Sequence, residues 1–413
     1  MNMSHSKKHK TVSDYRSDFP MLSKTMHGKP LVYFDTAATA QKPQAVIDCM
    51  THFYEDSYGT VHRAIYELAA HSTYLYQAAR LKAMHFLNAK RPEEIIFTRG
   101  TTESINLVAH SFGKAFIHAG DEIIISEIEH HSNIVPWQML CEDRGATLKV
   151  IPVNDRGELM MDVYRELLNE KTKLVAIGHI SNALGTLHPI KQIVDLAHDV
   201  GAKVLVDGAQ AAPHMAIDVQ ALDVDFYVFS GHKAYGPTGI GILYGKEVLL
   251  EKMPPYQGGG DMIDTVTFTK TTYNTLPLKF EAGTPMITEA IGLGAAIDYI
   301  IGIGREEIKT WEHELLDYAT KLWSEIPGFK IIGTAAEKGA IISFCMEGIH
   351  PLDVGTMLDL KGIAIRTGHH CAQPAMRRFH VPGTARASFG LYNTKEEIEA
   401  FAEALQEIAV LFH

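Results

Sequence analysis

Lys203-Val204-Leu205-Val206-Asp207-Gly208-Ala209-Gln210 and Phe226-Tyr227-Val228-Phe229-Ser230-Gly231-His232-Lys233 are built alike: each is a short run of β-forming residues that stops at a polar group followed by glycine. Runs that are apolar on both faces belong to strands covered on both sides, as in a parallel sheet sandwiched by helices. Working outward, Glu94–Thr98, Glu122–Ser126 and Leu174–His179 read the same way, with helical patterns at Ser104–Phe116 and Ile190–Val200 between them. From about residue 75 to 245 the chain therefore reads as α/β, with a mostly parallel sheet. Ligands of such sheets sit at the carboxyl ends of the strands, so the residues just after each strand carry the functional reading.

The pattern changes after Gly258-Gly259-Gly260. A long helical stretch, about 288–321, has a glycine-rich break near Gly302–Gly304. Strand-like Ala340–Met346, helical Pro351–Lys361, strand-like Ala364–Thr367 and a last helix from Lys395 complete a smaller α+β domain. We divide the chain into an N-terminal segment, 1–30, packing with the small domain, a large domain, 31–297, and a small domain, 298–413.

Composition narrows the function. The 413 residues are 46% hydrophobic and 21% charged, enough to bury a large core. A formal charge of −11 argues against nucleic-acid or membrane partners, which call for basic surfaces. Lys7, Lys8 and Lys10 are followed by polar residues and do not read as a signal peptide. Cys49, Cys141, Cys345 and Cys371 form neither a disulfide framework nor a CxxC pair, so the chain is expected in a reducing cytoplasm. No apolar run reaches membrane-spanning length, and Ile291–Ile303 is interrupted by Asp298.

Four strand ends carry unusual chemistry. Arg99-Gly100-Thr101-Thr102-Glu103 opens a helix, which Thr101 or Thr102 can cap, and whose free amides suit a phosphate. In Glu129-His130-His131-Ser132-Asn133 the neighbouring histidines point apart and suit one metal poorly. An imidazole there can stack on an aromatic cofactor or remain a hydrogen-bonded surface group. Asp207, ending an apolar strand, needs a cation or donors; it is either a helix N-cap or the partner of a protonated pyridine. Lys233 is either a solvated surface lysine or a desolvated Schiff-base nucleophile. Together the four ends supply a phosphate anchor, a ring stacker, a pyridinium partner and an imine-forming lysine, which is what a protein must offer pyridoxal 5'-phosphate.

These segments, with Phe34-Asp35-Thr36-Ala37-Ala38, Phe280-Glu281-Ala282-Gly283-Thr284-Pro285 and Arg366-Thr367-Gly368-His369-His370-Cys371-Ala372, resemble the pyridoxal-phosphate-dependent cysteine desulfurases of fold type I, in the class V aminotransferase family. The nearer likeness is to the SufS (group II) branch, which is selenocysteine lyase-like. The resemblance covers the chain from about residue 14 to its end. It implies that Lys233 holds the cofactor and moves the Cα proton, that Asp207 pairs with the pyridine nitrogen, and that Gln210 bonds the phenolic oxygen. His130 would stack on the ring and shuttle protons. Thr101, Thr102, Ser230 and His232 would bind the phosphate, joined by Thr284 from the partner subunit of a homodimer. Asn182, Arg366 and Arg386 would contact the substrate carboxylate, Arg386 with a bidentate fork.

Cys371 would take sulfur from L-cysteine, leaving L-alanine and an enzyme persulfide. It follows Arg366, His369 and His370, and cationic neighbours favour the thiolate. The other three cysteines lie in apolar or helical contexts and read as packing residues. The short loop at Cys371 resembles enzymes that need a SufE- or SufU-type acceptor, with iron–sulfur cluster assembly as the sulfur's destination. Met286-Ile287-Thr288-Glu289 is bulkier than the family pattern, and Asp261 follows the glycine triplet; neither carries a role above. Alternatives are selenocysteine lyase or an aminotransferase on the same scaffold. More distant is a non-catalytic zinc protein using His130, His131, His369, His370 and Cys371, which leaves Lys233 and Asp207 without purpose.

Overall fold

The computed structural model describes residues 12–412, so Lys7, Lys8 and Lys10 lie outside the described residues. The central sheet contains β1 (Ile95–Thr98), β2 (Glu122–Ser126), β3 (Thr147–Ile151), β4 (Thr172–Gly178), β5 (Lys203–Asp207), β6 (Phe226–Ser230) and β7 (Gly241–Gly245). Their order is β1-β7-β6-β5-β4-β2-β3. Only the two pairings of β7 are antiparallel.

The period of two within each strand sorts its side chains between two cores. Val204, Val206, Tyr227 and Phe229 enter one core, and Leu205, Phe226 and Val228 enter the other. The first core is covered by α1 (Glu67–Leu87), by α4 (Ile190–Asp199) and by α5 (Ile287–Ile303). The second is covered by α2 (Thr101–Phe116) and α3 (Val135–Arg144). The sequence pattern did not reveal β3 and β7. β3 is largely solvent-exposed and carries Thr147 and Lys149. β7 begins and ends on glycine, which reads as a turn. Gly241 is nevertheless required in the strand, because a Cβ there would lie 2.4 Å from Gly100 Cα.

The second unit is a four-stranded antiparallel sheet of β8 (Phe329–Ile332), β9 (Ile341–Met346), β10 (Arg366–Gly368) and β11 (Thr384–Ser388), in the order β8-β9-β11-β10. α6 (Arg305–Trp323), α7 (Pro351–Asp359) and α9 (Lys395–Phe412) close its core around Trp323, whose ring centroid lies 4.2 Å from that of Phe401. α8 (Gln373–Arg378) follows β10. The expected division at 297/298 falls inside α5, which meets α6 at 76° across Gly304; Ile308 on α6 still packs in the first core, and Leu315 and Leu316 enter the small-unit core. In the N-terminal segment, Phe19 packs on Tyr235, Tyr299 and Tyr392, and Arg16 pairs with Glu397 at 2.8 Å, so this segment touches both units. Among the described residues, no single helix is long and apolar enough to cross a membrane.

One buried ion pair ties the 280–285 loop to the sheet. Arg80 on α1 donates through both Nη atoms to Glu281 at 2.7 and 2.8 Å, and Glu281 also accepts from Phe97 N–H on β1 at 2.8 Å. Removing one partner leaves an uncompensated buried charge. Glu281→Ala should therefore destabilise the fold by about 3–5 kcal/mol. Asp298→Ala, which breaks the exposed Lys82–Asp298 pair, should cost roughly 1 kcal/mol or less. Thermal unfolding of the two variants beside wild type checks the contrast.

Candidate active site

The carboxyl ends of β4, β5 and β6 open into a cavity of about 280 Å³, closed on the far side by β10, β11 and the turn after β10. Its lining brings together Thr101, Thr102, His130, Asn182, Asp207, Gln210, Ser230, His232, Lys233, Arg366, Arg386 and Cys371, every expected site residue except Thr284. Thr284 lies in a separate pocket with Arg99, Glu103 and Tyr256, away from this cavity.

Lys233 is not a surface lysine. Burial lowers its amine to about 8; Asp207 opposes the shift, whereas Arg386 and Arg366 add to it. Asp207 is buried in turn, and burial raises its carboxyl. It caps no helix. Oδ1 accepts from Ala209 N–H at 3.0 Å in the turn after β5, and the carboxylate faces the cavity. Beneath it lies Tyr227, with its hydroxyl 3.0 Å from His179 Nδ1; Gly208 has no room for a Cβ, which would meet the Tyr227 ring at 2.1 Å.

His130 is held neutral: burial first, then the charge of Lys233, lowers it to about 3. Ser132 N–H donates to its Nδ1 at 3.1 Å, which assigns the ring proton to Nε2. Its loop is fixed by Glu129, a fully enclosed carboxylate that takes hydrogen bonds from Ser126, from Asn133 Nδ2 at 2.7 Å and from Gly178 N–H at 2.9 Å. Burial raises Glu129 to about 7. His131 points elsewhere and accepts from Gln373 N–H at 3.1 Å.

At the opposite end, the N-cap of α2 is Gly100 (φ +151°), not a threonine. Thr101 is the first helical residue, and its amide and hydroxyl both engage Ser230 Oγ, at 2.9 and 2.8 Å. The opening amides of a helix lack intrahelical partners, so this corner remains an anion site. His232 is neutral as well, lowered to about 4 by burial and then by Lys233 and Lys42. Gln210 donates to Ala37 O at 2.7 Å, and its amide faces the cavity.

On the small-unit side, the register of β10 against β11 sets Arg366 opposite Arg386. Arg386 is almost wholly enclosed, with Nη1 on Asn182 O at 2.8 Å and Nη2 on Asp35 at 3.2 Å. Burial outweighs Asp35 and lowers Arg386 to about 10. Cys371 Sγ lies 3.9 Å from Arg366 Nη2. The expectation that His370 adds positive charge beside the thiol does not hold. Its ring is enclosed and lowered to about 3, by burial and then by Arg386 and Arg366. The Arg366 guanidinium stands beside Cys371, and His370 serves as a neutral group.

The cavity's donor set fits pyridoxal 5'-phosphate. It offers an amine that is partly unprotonated near neutral pH and a buried carboxylate short of cations. A neutral imidazole stands beside them, with a helix N-terminus at one end. Lys233, Asp207, His130 and the Thr101–Ser230 corner would hold it. Sequence reasoning assigned no role to Asp35, Glu129 or Tyr227. The first two stood inside segments already singled out, as carboxylates beside motif residues; Tyr227 sat within an apolar strand run that gave no signal. Among the described residues no three His, Cys, Asp or Glu side chains converge as a metal site.

Residues 32–401 match the aminotransferase class-V family. A cysteine desulfurase of Synechococcus elongatus is 54% identical over 397 residues, covering 96% of this chain and 63% of that protein. A cysteine desulfurase of Escherichia coli is 51% identical over 399 residues, covering 96% of this chain and 98% of that protein. This chain thus spans less than two thirds of the length of some curated relatives, the Synechococcus protein among them, and nearly all of others. The crystal structure of the cysteine desulfurase CsdA (S-sulfonic acid) from Escherichia coli superposes with a TM-score of 0.91 at 40% identity, covering 98% of this chain and 100% of that one.

The lowered amine gives a measurable window. Trapping of the apoprotein with a small aldehyde and borohydride should modify Lys233 half-maximally near pH 8, whereas exposed lysines require pH near 10.5. Because Asp207 holds the ammonium form up, Asp207→Asn should move that half-point lower. Peptide mass spectrometry across pH reads both; a Lys233 half-point above pH 10 would contradict the burial argument.

Proposed function

This chain belongs to the aminotransferase class-V family, and on that footing we propose that it is a pyridoxal-phosphate-dependent cysteine desulfurase with Cys371 as the sulfur acceptor. The observation that carries the proposal is the meeting, in one cavity, of Lys233 and Asp207 with two guanidiniums and a thiol. When bound, the cofactor supplies an electron sink for bond changes at the substrate's Cα. Lys233 Nζ would hold it and, as an amine suited to act near neutral pH, would take the proton from the substrate's Cα. Asp207 would keep a protonated ring nitrogen charged, and His130 would present its neutral imidazole to the ring. Thr101, Thr102, Ser230 and His232 would hold the phosphate, with Thr284 of the partner subunit in a homodimer; the position of Thr284 outside this cavity supports that arrangement.

Arg386 and Arg366 bind the carboxylate of L-cysteine, with Asn182 beside them, and this fixes the substrate's sulfur toward Cys371. Cys371 Sγ, 3.9 Å from Arg366 Nη2, attacks that sulfur. The Sγ–S bond forms as the Cβ–S bond breaks, and the carbon fragment leaves as alanine after protonation. Residues 369–372 span the whole connection from β10 to α8, too short to carry the persulfide away from the protein. That supports transfer to a docking acceptor of the SufE or SufU type, feeding iron–sulfur cluster assembly in the cytoplasm.

Purified protein given L-cysteine and dithiothreitol should release sulfide and alanine in equal amounts. Cys371→Ala and Lys233→Ala should lower both by about 10²-fold or more. Alanine formed at the wild-type rate without Cys371 would sink the persulfide mechanism and favour a lyase or transaminase.

A further inference from the structure

We propose that His370 is the positioning residue of the thiol: its buried ring pins the 370–371 backbone so that Cys371 Sγ stays beside Arg366 inside the cavity. The inference rests on reading Cys371 as the sulfur acceptor. His370 and Cys371 both have left-handed backbone, at φ +53° and +55°, and among the described residues they are the only consecutive non-glycine pair that does. β-Carbon crowding disfavours that conformation, and it persists only where surrounding contacts enforce it. Three contacts do so here. Asn182 Nδ2 donates to His370 O at 2.6 Å, and His131 N–H donates to Cys371 O at 2.7 Å. The third is the ring itself, whose Nε2 lies 2.8 Å from Thr384 Oγ1 and 3.1 Å from Thr384 O on β11.

The ring is more than a filler. Its Nε2 must carry the proton to serve the Thr384 carbonyl, so Nδ1 is a bare acceptor, and it is enclosed without a partner. An enclosed, unpartnered nitrogen costs stability that an apolar side chain would avoid. A turn that merely joined β10 to α8 would carry glycine or asparagine at these positions. β11 also carries Arg386, two residues beyond Thr384, so the ring references the thiol to the strand that holds the substrate's carboxylate. Sγ and carboxylate are thereby spaced by one rigid element, and misplacement of the reacting sulfur would lower the rate without weakening substrate binding.

His370→Asn separates anchoring from backbone strain, because asparagine tolerates the left-handed region but lacks the ring. Thr384→Val removes only the hydroxyl acceptor and leaves the carbonyl. In the holoenzyme, His370→Asn should lower kcat for alanine release about 10- to 100-fold, with KM for L-cysteine within about twofold and the cofactor's absorbance unchanged. Thr384→Val should give a smaller loss in the same direction, and Thr384→Ser should restore wild-type kcat. Hydrogen exchange, read without substrate, should show faster exchange at residues 371–373 in proportion to the loss of kcat. Wild-type kcat in either variant despite faster exchange overturns the proposal, as does a loss of kcat with exchange unchanged. These results remain distinct from failure of the desulfurase reading, which shows as alanine formation that survives Cys371→Ala. If His370→Asn does not fold, the Thr384 pair carries the test.

Discussion

Everything at this site depends on how charge is kept inside protein rather than in water. Lys233, Arg386 and Asp207 are withdrawn from solvent where three strands of one sheet end and a strand of the other begins. Isolated, each would neutralise or destabilise the fold. They persist because the cations and anions are interleaved: Asp207 facing Lys233, and Asp35 bonded to Arg386. Burial outweighs the pairing at both ends, lowering Lys233 and Arg386 while raising Asp207 and Asp35. The cavity is therefore short of solvation for both signs of charge, which suits a zwitterionic ligand and a cofactor bearing phosphate and a ring cation.

The same crowding of cations explains the histidines. His130, His232 and His370 all face Lys233 or the two guanidiniums, and each is pushed far below its ordinary value. They act as neutral imidazoles, and they add no further charge to a site that already holds three cations. Another buried carboxylate, Glu129, ties the His130 loop to the end of β4, taking donors from the Ser126 and Asn133 side chains and from the Gly178 amide. His179 and Tyr227 brace the floor beneath Asp207 in a similar way.

Much of this was legible in the sequence, and the limits have physical causes. The strands flanking the site were visible because burial on both faces leaves continuous apolar runs, as at Phe226–Ser230. β3 was hidden by its solvent-exposed edge position, and β7 by glycines kept for close packing against Gly100. Residue types at strand ends announced the cofactor chemistry only together, since Asp207 alone also suits a helix N-cap and Lys233 alone a solvated surface. What they could not announce was protonation. His370 reads as a cation beside a thiol until its enclosure by Thr384 and Arg386 is known. The helix cap was likewise misassigned, because Gly100 and Thr101 are both acceptable and only the approach of Gly241 selects glycine.

The two units also divide the chemistry between them. The parallel sheet supplies the amine, the carboxylate and the helix terminus, which require strand ends and a helix start facing a common space. The antiparallel sheet supplies the guanidiniums and the thiol, and its register places Arg366 beside Arg386 on neighbouring strands at a spacing set by backbone hydrogen bonds. The contacts between the halves at the cavity are polar and directional: Asn182 to His370 and to Arg386, Asp35 to Arg386, and His131 to Cys371. Hydrogen bonds of this kind fix distance more sharply than apolar packing, which tolerates sliding. A thiol held at a set reach from two guanidiniums needs that sharpness at the seam, where His370, Thr384 and Arg386 of the small unit are buried.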